Sequence, residues 1–148
     1  MRRFSRGDAG DAGTAIVEFV FLAVLLMVPL AYVVVAAATV QRAAFGVTTA
    51  TREAGRAFVT ATAEQDPYAR AAAAADLALR DQGLDLPPTS LQISCVGQCG
   101  APESSVHVAL DYTVAVPLAP RAVNGRPLGS IVVRGRHTQF VDAFRDAP

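Results

Sequence analysis

The sequence predicts an α+β fold: a long N-terminal helix, a second short helix and a C-terminal three-stranded antiparallel sheet. Three observations carry this expectation. The 22 residues from Phe19 to Val40 contain no charge. Beyond them, small and apolar residues recur at three- and four-residue steps as far as Phe58, the spacing of one helix face. After Pro88 the apolar period falls from 3.6 to two, the signature of strands.

The uncharged run reads FVFLAVLLMVPLAYVVVAAATV. At about 1.5 Å per residue it spans roughly 33 Å, enough for a hydrocarbon layer of about 30 Å. A helix buried in a soluble core is rarely apolar all the way round. Pro29 lies inside the run and is expected to kink it, which a membrane helix tolerates better than a soluble one. The organisation that follows is a cytoplasmic leader over 1–13, a transmembrane helix over 14–40 and an extracytoplasmic α+β domain over 41–148. Arg2, Arg3 and Arg6 precede the run, and Arg42, Arg52 and Arg56 follow it. The asymmetry is small, but a short basic N-terminus favours a cytoplasmic start and an external C-terminus, and Asp8 and Asp11 weigh little. The expected partner of this segment is the lipid bilayer.

Val40, Ala43, Ala44, Val47, Ala50, Ala54 and Phe58 continue the helix as a narrow apolar stripe, so one helix is expected from about Thr14 to about Thr60. Gly46 and Gly55 lie within it and weaken it by about 1 kcal/mol each relative to alanine. Asp66 is placed to cap a second helix with Pro67 at its first position, running to Gln82 and ended by Gly83. Leu91, Ile93 and Cys95 alternate with polar residues in a first strand. Val106 to Val116 alternate in a second, ended by Pro117 and Pro120, and Asn124-Gly125 supplies a turn. Ser130 to Val141 is the third strand, with Gly135 a candidate bulge. Short connections favour an antiparallel sheet, covered on its apolar face by the amphipathic helix.

Composition narrows the function. Thirteen arginines, with no lysine, balance thirteen acidic residues in 148, and the mean hydropathy is +0.34. With no global basic field, no nucleic acid partner is expected. Ser104 and Ser105 lack a nucleophile-elbow context, and His107, Asp111 and Thr113 read as a solvated strand face. Arg134 and Arg136 likewise share one side of the last strand. Neither a catalytic site, a metal, a cofactor nor a small-molecule substrate is expected, and the chain is not read as an enzyme. Cys95 and Cys99 are most simply a disulfide pinning the first hairpin. Free thiols and zinc are the alternatives; zinc would need two further ligands, with His107 and His137 the only histidines. The small residues Ala36 to Ala38, Ala43, Ala44, Gly46 and Ala50 would permit close packing of helices.

Gly13 stands directly before TAIVEF, so Glu18 is the fifth residue after a glycine that follows a basic leader. This start resembles the type IV prepilin processing signal, and more closely the TadE-like family of tight-adherence pilus assembly proteins. The segments carrying the likeness are GTAIVEF, LLMVPLAYV and ATREAGRAF, within Asp11 to Phe58. The resemblance implies a pilin-like fold and a minor pilin or pseudopilin. It implies that a prepilin peptidase cuts between Gly13 and Thr14, and that Glu18 and Pro29 serve helix assembly. Its partners would be other pilin-like subunits and the pilus assembly platform, and its place the membrane or a cell-surface pilus. Thr14 departs from the aromatic or aliphatic first residue usual in pilins. Glycine fits before a cut because extended backbone without a side chain enters a tight protease site. The alternatives are a secreted binding module cut after Ala38, or an accessory module that stays anchored and is never processed.

Overall fold

A computed structural model describes residues 11–117 and 129–142. Its elements are α1 (Asp11–Val59), α2 (Pro67–Arg80), β1 (Leu91–Val96), β2 (Ser105–Ala115) and β3 (Ser130–Phe140). The chain divides into two compact units, 1–37 and 38–148, so α1 runs through both. The helix continues through Pro29. Proline supplies no N–H, so the carbonyl four residues earlier, that of Leu25, lacks its usual donor.

In the second unit α1 buries one arc of its surface. Ala43, Gly46, Val47, Ala50, Thr51, Ala54, Gly55 and Phe58 are buried, whereas Arg42, Phe45, Thr48, Thr49, Arg52 and Arg56 are exposed. Thr51 is the one hydroxyl in that buried arc, and it donates back to the carbonyls of Val47 (3.1 Å) and Thr48 (3.0 Å). A buried hydroxyl with no acceptor would cost about 1–3 kcal/mol.

α2 begins as the sequence predicts. The Asp66 carboxylate accepts a bond from the Tyr68 N–H at 2.9 Å, and Pro67 occupies the first turn. It ends two residues earlier than predicted, at Arg80. Gly83, at φ +66°, then closes the chain back through Leu84 N–H to the Leu79 carbonyl at 3.0 Å. Ala71, Ala75, Ala78 and Leu79 are its buried face.

The sheet has the order β1-β2-β3, antiparallel throughout. Val106, Val108, Leu110 and Val114 of β2 point into the core with Val47, Ala54, Phe58, Leu79 and Val141. The core is therefore two-layered, with both helices against one sheet face. Asn124-Gly125 and Pro120 lie outside the described residues.

Gly135 is not a bulge. It pairs in unbroken register with Leu110 and is fully inside the sheet. Its role is clearance: a Cβ there would stand 2.6 Å from Val47 Cγ1, 3.0 Å from the Val47 carbonyl oxygen and 3.1 Å from Thr51 Cγ2. α1 thus crosses β3 at a position where only hydrogen fits. Gly55 plays a milder form of the same part, since a Cβ there would lie 3.2 Å from the His137 ring and 3.3 Å from Gln139 Cβ. Gly46 meets Leu84 and Gln82 beyond the end of α2 at 3.2 and 3.3 Å. These two helix glycines are sites of contact rather than only weak points.

Gly135→Ala is expected to lower the unfolding free energy by about 1–3 kcal/mol, because the clash is with the stiff, β-branched Val47 side chain, which has its own helix carbonyl and Thr51 close behind. Gly55→Ala is expected to be near neutral, its tighter contacts offset by about 1 kcal/mol of helix propensity. Denaturant midpoints of the full chain in detergent distinguish the two. An unchanged midpoint for Gly135→Ala would contradict the close crossing.

Candidate functional site in the apolar half of α1

From Thr14 to Gln41 the helix contains a single charged residue, Glu18. No side chain from Thr14 to Arg42 is buried, and Phe19 is 72% exposed. The most apolar stretch has a mean hydropathy of 2.8 and none of it is covered by the rest of the protein. Exposed apolar patches on soluble monomers seldom exceed a few hundred Å². A helix apolar on every side and uncovered for this length is compatible with a single-pass membrane protein.

Glu18 sits among exposed Val17, Phe19, Phe21 and Leu22. The residues three and four positions away along the helix are Ala15, Thr14, Phe21 and Leu22, none of them basic. No side chain on its own helix can therefore neutralise it at the usual i±3 or i±4 distance. At the centre of a membrane helix an acid costs about 2.5–3.5 kcal/mol, less near the end where Glu18 lies.

Gly13 and Thr14 are both helical, so the Gly13–Thr14 bond lies within α1 rather than in an extended segment before it. Thus Gly13, Thr14, Glu18 and Pro29 all lie on one continuous helix.

Cys95 and Cys99 form a disulfide, with Cα atoms 5.4 Å apart. It closes the loop after β1, where Gly97, Gly100 and Glu103 all take positive φ. The Tyr68 hydroxyl is 3.8 Å from Cys99 Sγ, and the Tyr68 ring stands edge-on to Phe58 with centroids 5.0 Å apart. The bridged loop is thereby held beside the junction of α1 and α2. Phe58, Ala61, Pro67, Tyr68 and Cys99 line a recess there that carries no ionisable side chain other than the tyrosine phenol.

His107 and His137 do not converge. His137 lies opposite Val108 on the inner face of the sheet, whereas His107 is opposite Thr138 on the outer face. Among the described residues no cluster of three or more His, Cys, Asp or Glu could hold a metal ion. On the outer face His107 lies 3.4 Å from Ser105 Oγ and 2.9 Å from Thr138 Oγ1. Among the described residues no carboxylate is hydrogen-bonded to that ring; Asp111 lies further along β2, across from Arg134 at 3.7 Å. The arrangement reads as a cross-strand hydrogen-bond chain. Arg136 shares this face.

The small-residue stripe divides in two. Ala43, Gly46 and Ala50 are consumed by packing inside the domain, so they are not a free surface for another helix. The signal for this was their phase, shared with Val47, Ala54 and Phe58.

Removing the disulfide with Cys95→Ser and Cys99→Ser is expected to cost about 2 kcal/mol, the chain-entropy value for so short a loop. Far-ultraviolet dichroism should remain native, because the principal buried side chains lie outside that loop. Wholesale loss of structure in the double variant would show that the bridge, not the two-layer core, holds the domain. No protein family, curated protein or solved structure matches this chain.

Proposed function

We propose that this protein is a TadE-like minor pilin, a structural subunit of a tight-adherence pilus or of its assembly platform. The single observation that carries the reading is Glu18, the only charge in an uncovered apolar helix, five residues after a glycine that ends a basic leader. In this reading residues 1–13 face the cytoplasm, α1 crosses the bilayer and the α+β domain lies outside. A prepilin peptidase cuts after Gly13 on the cytoplasmic side.

The physical logic is electrostatic. Cleavage would create an ammonium at Thr14, about 6 Å along the helix from Glu18. In a bundle of such helices, the ammonium of one subunit can neutralise the Glu18 carboxylate of its neighbour. No side chain three or four residues from Glu18 is basic, so the ammonium freed by cleavage is what could neutralise it, and in a bundle a neighbour's ammonium is available as well as its own. Lateral contacts in lipid lack a hydrophobic driving force, so one buried ion pair is well suited to fix register. The disulfide is consistent with an oxidising compartment outside the cytoplasm.

A second reading has a specific observation in its favour. The buried core begins at Ala43. A chain cut after Ala38 would therefore keep every core residue, as a secreted module requires. The two readings give different mature termini.

N-terminal sequencing of the membrane-extracted protein, from cells carrying the peptidase, is expected to begin at Thr14. An intact Met1 contradicts processing, and a terminus at Thr39 supports the secreted module. Glu18→Val is expected to leave cleavage intact while reducing recovery of the subunit in sheared pili by about tenfold or more, as loss of an interaction of about 1.4 kcal/mol would. Normal incorporation of Glu18→Val would remove its assembly role.

A further inference from the structure

The extramembrane half of α1 leaves one face uncovered. Phe45 is 70% exposed at its centre, and Arg42, Arg52 and Arg56 are exposed on the same side. Arg56 is paired with Glu53 at 2.7 Å, but Arg42 and Arg52 make no ion pair among the described residues. The outward face of α2 has the opposite character. Leu77 is 64% exposed, Ala69 and Ala73 are exposed beside it, and Asp81 and Asp85 follow it with no ion pair among the described residues. Asp76 on its flank is held by Arg80 at 2.9 Å. One face thus offers three arginines with one glutamate around a phenylalanine. The other offers Asp76, Asp81 and Asp85 with Arg80 beside a leucine; Arg70 lies two turns earlier on that side, hydrogen-bonded to Gln65 and the Thr60 carbonyl.

We infer that the Phe45 face of α1 docks on the Leu77–Asp85 face of α2 in a second copy of this chain, head to tail. Charge selects this pairing over its rivals. Two α1 faces together would oppose arginines, and two α2 faces would oppose aspartates; only the mixed contact is complementary. The levels also match. Phe58 meets Tyr68 near the start of α2, and Gly46 meets Gln82 and Leu84 just beyond its end. α2 is therefore antiparallel to α1 and beside it, with Leu77 near the level of Arg52 and Asp85 near that of Phe45. A copy standing alongside at the same level brings Arg52 to Leu77 and Asp81, and Arg42 to Asp85. Exposed Ala69 and Ala73 let the incoming helix approach closely. Such a contact uses two different surfaces and does not close on itself, so it propagates as a row of subunits.

The inference deepens the assembly reading and rests on it only in requiring copies anchored side by side; removal of the leader is not needed. Two differently tagged full-length chains are co-expressed in membranes, Thr49→Cys in one and Leu77→Cys in the other. A short bismaleimide then joins free thiols and spares the native disulfide. The mixed pair is expected to cross-link well above either variant alone. Adding Arg42→Glu and Arg52→Glu to the Thr49→Cys chain should lower that yield about tenfold, and Asp81→Arg with Asp85→Arg in the partner should restore it. Equal self-cross-linking of Thr49→Cys would overturn the proposal in favour of a symmetric contact. Absence of the mixed product while both thiols accept a monofunctional maleimide would overturn it outright, leaving these faces to water or lipid headgroups. Insensitivity to the charge reversals would do the same. A mixed product between chains that retain Met1 keeps the contact while removing the processing claim, so the two failures are separable.

Discussion

The distribution of apolar side chains around α1 changes once along its length, and the rest of the fold is arranged around that change. Up to Val40 the apolar residues occupy every direction, so no orientation of the helix against a protein surface would cover them all. From Ala43 onward, Phe45 apart, they concentrate on an arc that the domain buries, with arginines and threonines on the remainder. The change falls at Gln41 and Arg42, the first strongly polar residues after Glu18. Helical hydrogen bonding continues across it because backbone groups are satisfied within the helix in either medium.

The covered arc is made of alanine, glycine, valine and threonine because α1 is contacted from two sides. Val47 and Thr51 face β3, where Gly135 is the clearance, and Gly46 faces the residues just after α2. Small side chains bring the helix axis close to both neighbours, but each buries little area. At roughly 25 cal/mol per Å², a core led by Ala43, Ala50, Ala54, Ala71 and Ala75 gains less than a leucine-rich one would. Larger residues are spent where the layers meet, at Phe58, Leu79, Leu110 and Val108. In a domain with so modest a core, a disulfide in the first hairpin loop contributes a visible share of stability.

Features that act over a few residues were legible in the sequence. The α2 cap needs only Asp66, Pro67 and the N–H of Tyr68, and the three strands follow from local alternation to within a residue or two. Gly135 was misread because a glycine in a strand has two common causes, a bulge or a close approach. Which applies depends on Val47, far away in the chain and visible only when α1 is laid across β3. The faces of the two histidines divide in the same way. β2 alternates strictly, so His107 could be placed outward from its neighbours. β3 carries Ile131, Val132 and Val133 in succession, and this run hides which parity points inward. The phase of Gly46 and Gly55 with the buried alanines was present in the sequence, but propensity alone, a local measure, gave only their cost.

Aliphatic side chains attract lipid and one another about equally, so the anchor's apolar surface carries almost no directional information. Whatever orders such helices side by side must come from polar groups at the ends of the apolar segment. At the leading end there is one, Glu18. At the trailing end the free charges are divided between two faces of the domain, Arg42 and Arg52 on α1 and Asp81 and Asp85 just beyond α2, opposite in sign. In the proposed assembly the first group would set how far one helix is displaced along its neighbour, and the second would set which side of the neighbour it meets. Neither suffices alone, because an ion pair at one point permits rotation about it, and a contact between exposed faces is screened within a Debye length of about 8 Å at physiological salt. Together they constrain both displacement and rotation, which is the least that an ordered row of single-helix subunits requires.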